Sequence, residues 1–208
     1  MIMIMIMMII NGATKAVTGG IMSKLKPETK KELDIQKQEL IAALKGCGAI
    51  RYGNFTLTSG KKTKYYIDIK KASTDPKTLK LIARQAAIKI EDMDVSTIAG
   101  IELGSVPLAT AVSMETELPL LIVRKATNDY GTKSRFVGDI KPEDKIVMLE
   151  DVTTTGGSVR DAIKIVREAG ASVKHIISVV DREEGAKEKM KEEGAELFPL
   201  VSASDLLS

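Results

Sequence analysis

The stretch IVMLEDVTTTGGS at residues 146–158 combines an apolar run, two adjacent acids and a turn rich in threonine and glycine. Glu150 and Asp151 supply carboxylates, which accept hydrogen bonds from sugar hydroxyls or help to hold a divalent metal. The threonine hydroxyls and backbone N–H groups of the turn can donate to a phosphate, and glycine lets the phosphate approach closely. Acids on one side and phosphate donors on the other fit the two ends of a ribose phosphate.

This chemistry requires a strand that ends where a helix begins, and the flanking sequence predicts both elements. KIVMLED has the pattern of a buried strand, and GSVRDAIKIVREAG has that of a helix with one apolar face, formed by Val159, Ala162, Ile163 and Val166. Ligands of doubly wound sheets bind at the carboxyl ends of the strands, where this junction would lie. The sequence contains neither a GxxxxGKS/T nor a GxGxxG motif. The plainer alternative is that the acids end a strand and TTTGG is an ordinary loop.

The rest of the chain alternates helices with continuously apolar strands, which is typical of a mostly parallel sheet covered on both faces. The further strand patterns are STIAGI, LPLLIVR, VKHIISVVD and ELFPLVS, the last running into a predicted turn, and DPKTLKLIARQAAIKIED is a strong helix pattern. Ahead of the sheet, a helix at 27–48 precedes a hairpin at 55–72 with Ser59-Gly60 as its turn signal. We therefore predict one doubly wound α/β domain over residues 23–208, with the helix and hairpin as a small N-terminal cap.

The composition limits the classes of function. The net charge of +3 suits anionic small molecules, and without a basic stripe and interleaved aromatics we expect no nucleic-acid partner. Cys47 is the only cysteine, so no disulfide can form within the chain, and we expect a reducing, cytoplasmic location. A zinc site or a Cys–His catalytic pair is poorly supported by one cysteine and one histidine, so we interpret Cys47 as a small buried residue and His175 as a packed one.

Residues 1–22, which begin MIMIMIMMII, stand apart from this pattern. Ten apolar residues are too few to span a bilayer, which takes about 20 as a helix, and the basic start of a signal peptide is missing. A second start position, Met22, immediately precedes the first charged segment. We interpret residues 1–22 as an extension that carries no chemistry and need not be native; a membrane-surface role is the alternative.

IVMLEDVTTTGGSVRDA resembles the phosphoribosyl diphosphate (PRPP) binding motif of the type I phosphoribosyltransferases: an apolar strand, two acids and a T-x-G turn. Three further segments, FTLTSGKKTKYYIDIKK, IAGIELGSVPLATAVS and LIVRKATNDYGTKSRFVGDI, resemble the orotate phosphoribosyltransferase family in particular. The resemblance implies an enzyme that joins N1 of orotate to C1 of PRPP with Mg²⁺, releasing pyrophosphate and giving orotidine 5′-monophosphate for pyrimidine biosynthesis.

The resemblance also implies roles for individual residues. Glu150 and Asp151 would hold the ribose hydroxyls, and Arg182 would bind the orotate carboxylate. Mg²⁺ would arrive with PRPP, so no residue is assigned to the metal. Tyr66 and Ile67 would form a wall of the orotate pocket. The remaining implied contacts are Thr154 for orotate, and Arg124, Lys125, Asn128, Tyr130, Val152, Thr153, Thr154, Thr155, Gly156, Gly157 and Ser158 for PRPP.

The segment 125–137 is polar and aperiodic, and we predict a mobile loop there. In the family this loop closes over the site of a neighbouring subunit, which implies a homodimer with shared sites. The family's catalytic lysine is replaced by Asn128, so Lys125 or Lys133 would supply the catalytic cation. Tyr130 stands where the family usually has a histidine.

Two departures lie outside this loop: Thr58 and Gly104 occupy positions where the family often has lysine. Two alternatives to the orotate enzyme stay open at this point. The loop departures are compatible with a PRPP-fold regulatory protein that senses nucleotides. A purine phosphoribosyltransferase is disfavoured by the hairpin and by Arg182, because a neutral purine does not call for an arginine.

Overall fold

The computed structural model describes residues 30–56, 62–125 and 134–207 of the chain. The chain divides into two units, residues 1–35 and residues 36–208, and every described strand belongs to the second. The described elements follow in this order: α1 Lys30–Gly46, β1 Ile50–Thr56, β2 Lys62–Ile67, α2 Ile69–Ser73, α3 Pro76–Ile90, β3 Thr97–Ile101, α4 Val106–Thr116, β4 Leu120–Val123, β5 Phe136–Val137, β6 Lys145–Thr153, α5 Gly157–Glu168, β7 Ser172–Asp181, α6 Ala186–Glu192, β8 Glu196–Ser202 and α7 Ala203–Leu207.

Strands β3 to β8 form one sheet in the order β5-β4-β3-β6-β7-β8. Neighbouring strands pair in parallel, except that β5 is antiparallel to β4. The winding reverses between β3 and β6, because β4 follows β3 on one side while β7 and β8 follow β6 on the other. This arrangement confirms the predicted doubly wound, mostly parallel α/β fold. In such folds the crevice that receives ligands lies at the reversal, here between β3 and β6.

Helices cover both faces of this sheet. On one face, α1, α3 and α4 pack against sheet residues in one apolar cluster, which includes Leu44 and Ile82. On the other face, α5 and α6 form a second cluster with alternate residues of the same strands, so that Val147 belongs to the first cluster and Met148 to the second. Helix α5 buries the face that its sequence predicts, formed by Val159, Ala162, Ile163 and Val166. Strand β6 is therefore buried on both sides, which fixes the position of the acids at its end.

Local signals explain where α3 begins. Asp75 Oδ2 accepts hydrogen bonds from the backbone N–H of Thr78 at 2.8 Å and from its hydroxyl at 2.6 Å. Pro76 occupies the first helical position, where its missing N–H is not needed. The carboxylate thus satisfies a donor that the helix itself leaves free, and α3 starts at Pro76, the second residue of the predicted helix pattern.

The predicted hairpin is present, although its predicted range is wrong at both ends. Strands β1 and β2 pair antiparallel, with Ile50 opposite Ile67. Strand β1 begins at residue 50 rather than 55, and residues 69–73 form the short helix α2. One helical turn is too short to show a helical period, so the alternating pattern of the strand continues through it in the sequence. The turn at Ser59-Gly60 lies outside the described residues.

Two short elements correct the predicted connections. Phe136–Val137, assigned from sequence to the loop 125–137, form β5 because Val137 pairs with Ile122 of β4. Ala203–Leu207, predicted as a turn, form α7 with Leu206 fully buried. Both elements are too short for their pattern to repeat in the sequence, with two residues in β5 and five in α7. Residues 126–133 of the loop lie outside the described part of the chain.

The two residues interpreted as packed are both half-buried. Cys47 lies against the first apolar cluster, and its thiol donates to the Leu44 carbonyl at 3.5 Å. The His175 ring lies 6.0 Å from the ring of Phe198 on β8. The prediction of a buried cysteine is therefore wrong in degree, since its side chain is part of the surface. Of the helices that the structure describes, none has the length and apolar character needed to cross a membrane.

Candidate active site

The two acids lie where the winding of the sheet reverses. Glu150 and Asp151 are near the carboxyl end of β6, and the loop that follows β3 packs directly against them. A Cβ built on Gly104 would lie 2.2 Å from Asp151 Oδ2, closer than any real contact. A side chain at this position would require the Asp151 carboxylate or the loop to shift, so glycine allows the close approach. The structure thus joins two segments singled out in the sequence, ELGSVP and the acid pair.

Glu150 is buried, with 9% of its surface exposed. Burial, followed by the negative charge of Asp151, raises the pKa of the Glu150 carboxyl to about 8. The positive charges of Lys125 and Lys70 oppose that rise and lower the pKa. In the ligand-free protein Glu150 is therefore mostly protonated at neutral pH, and its carboxyl can donate as well as accept a hydrogen bond.

Asp151 has defined partners for both of its carboxylate oxygens. Oδ1 accepts the backbone N–H of Val152 at 2.8 Å, and Oδ2 accepts the ammonium of Lys70 at 3.0 Å. The hydrogen bond and the charge of Asp151 raise the pKa of Lys70. Reasoning from sequence missed Lys70, because it lies 81 positions away in the chain and nothing in the run IKKA distinguishes it from its neighbour Lys71.

The segment 153–158, called here the phosphate turn, connects β6 to α5. Thr153 is buried, and its hydroxyl lies 3.1 Å from Asp181 Oδ1 and 3.3 Å from the hydroxyl of Ser178. Its carbonyl accepts the backbone N–H of Arg182 at 2.9 Å. These bonds fasten the end of β6 to the end of β7. Because the Thr153 side chain faces β7, only its backbone is available to a phosphate.

The rest of the phosphate turn offers donors to solvent. The side chains of Thr154, Thr155 and Ser158 are exposed. Gly156 adopts a left-handed conformation with φ of 76°, and no side chain caps the first turn of α5. Within the described residues, no acceptor bonds to the backbone N–H groups of Thr154, Thr155 or Gly156. Free N–H groups at the positive end of a helix can receive an anion.

Arg182, directly after β7, has an almost buried side chain, with 8% of it exposed. Its Nε forms a salt bridge with Glu184 Oε1 at 3.2 Å, but Nε is buried without a hydrogen-bond partner among the described residues. Its guanidinium lies over the ring of Tyr65 on β2, 5.4 Å from the ring centre. This side chain is therefore a nearly buried cation with donor capacity to spare.

The hairpin residues predicted for the pocket wall face other neighbours. The Tyr66 ring lies 5.6 Å from the ring of Phe55, and the Arg51 guanidinium lies 5.4 Å from it. Ile67 is buried in the first apolar cluster. Side chains alternate along a strand, so Tyr65, which the sequence analysis did not single out, is the one that contacts Arg182. Tyr66 is still close enough to Lys70 to raise the pKa of the Lys70 ammonium.

A basic cavity of about 380 Å³ lies beside the phosphate turn, and Arg124, Lys125, Arg135 and Ser158 are among the residues that line it. The backbone N–H of Arg124 donates to the Arg135 carbonyl at 2.9 Å, and Arg135 Nη2 donates to the Lys125 carbonyl at 3.2 Å. Arg135 was not predicted as a site residue. Three cations thus meet at the described ends of the 125–137 loop. Asn128, Tyr130 and Lys133 lie outside the described residues.

A doubly wound sheet with an acid pair and a glycine-rich turn at its reversal defines an α/β protein of the class whose ligands bind at the carboxyl ends of the strands. The family model described as "Phosphoribosyl transferase domain" matches residues 71–195, which is more than half of the chain. An orotate phosphoribosyltransferase of Methanosarcina mazei is 77% identical over 186 residues, which cover 89% of this chain and all of that protein. The Methanocaldococcus jannaschii orotate phosphoribosyltransferase is 56% identical over 83% of this chain and 98% of its own length.

Solved structures of orotate phosphoribosyltransferases have a similar fold. A Mycobacterium tuberculosis orotate phosphoribosyltransferase in complex with PRPP superposes with a TM-score of 0.70 at 28% identity, covering 83% of this chain and 99% of that chain. The Aeropyrum pernix orotate phosphoribosyltransferase gives a TM-score of 0.73 at 29% identity, covering 81% and 96%. The chain therefore belongs to the orotate phosphoribosyltransferase family, an enzyme family, as its resemblance predicted.

Proposed function

We propose that the protein transfers ribose 5-phosphate from PRPP to N1 of orotate with Mg²⁺, giving orotidine 5′-monophosphate and pyrophosphate for pyrimidine biosynthesis. One observation carries the proposal beyond family membership. The acid pair that suits a ribose and the nearly buried Arg182 that suits a carboxylate stand at the ends of adjacent strands, joined through Thr153. A purine enzyme would have no use for that buried cation.

The ribose 5-phosphate part of PRPP would lie along the end of β6. Glu150 and Asp151 would bind its two hydroxyls, since a protonated and an ionised carboxyl can together donate and accept. The 5′-phosphate would bind the phosphate turn through the free backbone N–H groups and the exposed hydroxyls of Thr154, Thr155 and Ser158. Val152, Thr153, Gly156 and Gly157 would contribute backbone to the same site.

Orotate would bind beside Arg182, whose guanidinium would pair with the carboxylate of the base. Thr154, exposed at the start of the phosphate turn, would donate to the base as well. Tyr65 already lies against the guanidinium and supports its orientation. Tyr66 and Ile67, on the same strand, are proposed as the wall of the pocket.

The reaction breaks the C1–O bond to the diphosphate and forms a bond from C1 to N1 of orotate, whose N1 proton passes to the leaving diphosphate or to solvent. Positive charge develops on the ribose and negative charge on the leaving diphosphate, which departs with the bonding electron pair. Cations beside the diphosphate therefore stabilise the transition state more than the ground state. Arg124 and Lys125 are proposed for this role, and the cationic lining of their cavity supports it.

Mg²⁺ is proposed to arrive bound to PRPP. The described residues contain no group of three or more His, Cys, Asp or Glu side chains that could hold a metal on their own. We propose an ion whose ligands come mainly from phosphate oxygens and water, as is usual for Mg²⁺. The ion would supply charge neutralisation on the diphosphate, and no protein ligand is assigned to it.

The 125–137 loop is proposed to close over the site of a neighbouring subunit in a homodimer. It would exclude water, which would otherwise hydrolyse the sugar as the C1–O bond breaks. Asn128 cannot carry charge, so Lys125 or Lys133 would provide the loop's cation, and Tyr130 would contact PRPP. The three cations at the described ends of the loop support a diphosphate at this position.

Residues 23–208 are proposed as one phosphoribosyltransferase domain, with residues 1–22 as an extension outside the chemistry. The alignment of the whole M. mazei relative to 186 residues of this chain supports this proposal. A cytoplasmic location is proposed as well, in keeping with the single cysteine.

The test is to incubate the purified protein with PRPP, Mg²⁺ and orotate and to follow orotate absorbance. The proposal predicts PRPP-dependent loss of orotate and no reaction of adenine, guanine or hypoxanthine. PRPP binding without any orotate loss would contradict it and favour the nucleotide-sensing alternative. Consumption of a purine would favour the purine enzyme.

A further inference from the structure

We infer that Lys70 is a positioning residue of the PRPP site, which holds Asp151 Oδ2 so that the carboxylate meets the ribose hydroxyls in a fixed orientation. The inference rests on the proposed function, because it assigns Lys70 to the site that would bind PRPP. Nothing in the sequence pattern or in the implied family contacts includes this residue.

The contact is direct. Lys70 Nζ lies 3.0 Å from Asp151 Oδ2, and the Asp151 side chain is 13% exposed. The backbone N–H of Val152 holds the other oxygen, Oδ1. The carboxylate is thus fixed at two points, one of them on its own strand and the other on α2.

Helix α2 gives Lys70 a rigid base. The helix follows β2 after a single residue. Two of its residues, Ile69 and Ala72, lie on either side of Lys70 in the sequence and are buried in the first apolar cluster. The Lys70 side chain is 65% exposed, so its ammonium reaches Asp151 from the solvent side of the site. A ligand that enters from that side would meet the ammonium and the carboxylate together.

The loop that follows β3 cannot replace this contact. Gly104 has no side chain, and the space beside it is filled by Asp151 Oδ2. Among the described side chains, only Lys70 bonds to that oxygen. Without Lys70, no other described side chain would bond to Oδ2 of this carboxylate.

Charge strengthens the argument. Asp151 stands next to a buried carboxyl, and a cation beside two acids so close offsets their mutual repulsion. Lys70 and Lys125 are the cations that act on Glu150. Lys70 itself faces Asp151, Asp68 and Tyr66, all of which favour its charged form. Of the two described cations that act on Glu150, removing Lys70 would leave Lys125.

The test compares three variants: Lys70→Met, Lys70→Arg and Lys71→Met. Lys71 is the next residue on α2, is exposed, and forms no described bond to the acid pair, so it controls for loss of a surface charge. The first measurement is the Kd of PRPP with Mg²⁺ by calorimetry, without orotate. The second is the KM of each substrate and kcat.

We expect Lys70→Met to weaken PRPP binding about tenfold, a loss in keeping with a charge-assisted hydrogen bond that is partly exposed to solvent. Lys70→Arg should restore most of the affinity, because it keeps the charge and a donor. Lys71→Met should bind PRPP like the unaltered protein. In the steady state, Lys70→Met should raise the KM for PRPP more than the KM for orotate.

Equal PRPP affinity for Lys70→Met and Lys71→Met would overturn the inference. An equal rise in the KM for both substrates in Lys70→Met, together with a lowered Tm, would also overturn it, because that result would indicate a structural role. The proposed function fails separately if the unaltered protein binds PRPP but forms no orotidine 5′-monophosphate, since the calorimetry still tests Lys70 in that case. If the unaltered protein does not bind PRPP, both ideas are contradicted.

Discussion

Glu150 and Asp151 are adjacent in the chain but have different surroundings. Glu150 points into a site that excludes most water, so its neutral form is favoured, whereas Asp151 is bonded to an ammonium and to a backbone N–H. Two equivalent carboxylates would repel each other and the incoming diphosphate. One neutral and one charged group can instead accept and donate to a diol with less repulsion.

The raised pKa of Glu150 has a consequence for stability. Its pKa rises from 4.5 in the unfolded chain to about 8 in the folded protein, so the folded state binds this proton more tightly. The stabilisation is fully present below pH 4.5 and is lost as the pH rises toward 8. The loss can reach about 1.4 kcal/mol per pH unit across that window.

We therefore expect Glu150→Gln, which stays neutral, to gain stability relative to the unaltered protein as the pH rises from 5 to 8. Urea unfolding of both proteins at the two pH values, without PRPP, measures the difference. A difference that does not change with pH would mean that Glu150 ionises normally in the folded protein.

Arg182 is the residue on which the choice of base depends. We expect Arg182→Ala to raise the KM for orotate by about tenfold or more, because a hydrogen-bonded charge pair is worth roughly 1.5–3 kcal/mol. The KM for PRPP should change little, since PRPP lacks the base carboxylate with which Arg182 is proposed to pair. Steady-state kinetics with each substrate varied in turn gives both constants.

Glu184→Gln is the matched control for this prediction. It removes the acid that lies 3.2 Å from Arg182 Nε but leaves the guanidinium in the site. Arg182 is a structural residue if Glu184→Gln raises the KM for orotate as much as Arg182→Ala does. The same conclusion follows if Arg182→Ala raises the KM for orotate and the KM for PRPP equally.

At the scale of elements, the 125–137 loop carries the sharpest prediction. Because Asn128 has no charge, we expect Lys133→Ala or Lys125→Ala to lower kcat strongly, through loss of a cation on the leaving diphosphate. Single-turnover rates of the two variants, with PRPP and orotate saturating, identify which lysine acts. Near-normal rates in both would mean that the loop works without a lysine.

The strand–helix junction was predictable because its signals are local. The apolar run of β6, the acids and the phosphate turn follow one another in sequence, and α5 shows its buried face at helical spacing. Helix α2 and strand β5 were missed because one turn or two residues show no period.

The contacts that the sequence could not reveal are those between distant segments. Lys70 meets Asp151 across 81 positions, and only the winding of the sheet brings them together. The choice of Tyr65 over Tyr66 as the neighbour of Arg182 depends on the register of the hairpin, which two consecutive tyrosines leave undetermined.

At the scale of the whole molecule, the doubly wound sheet explains why residues from so many segments meet. Parallel strands end at one edge, so the loops after β3, β4, β6 and β7 are brought to the same side. The reversal between β3 and β6 opens the crevice in which the ELGSVP loop lies against Asp151.

The proposed homodimer makes its own prediction at this scale. If the loop of one subunit closes over the site of its partner, two impaired variants should partly restore each other. Mixing Asp151→Asn with the lysine variant of lower kcat under conditions of subunit exchange should raise the activity above that of either variant alone, because some sites then combine intact parts of both chains. No recovery, with mixed dimers present by native mass spectrometry, would mean that each subunit closes its own site.

The central claim is that the acid pair of β6 binds PRPP for transfer to orotate, and Asp151→Asn tests it most directly. This change removes the charge but keeps the shape, so the Tm should stay close to that of the unaltered protein. The measurement is the formation of orotidine 5′-monophosphate and pyrophosphate from PRPP, Mg²⁺ and orotate by both proteins. The account predicts equal amounts of the two products from the unaltered protein and a kcat/KM for PRPP lowered about tenfold or more in the variant. An unaltered protein that forms neither product, or a variant that forms both at the normal rate, would contradict it.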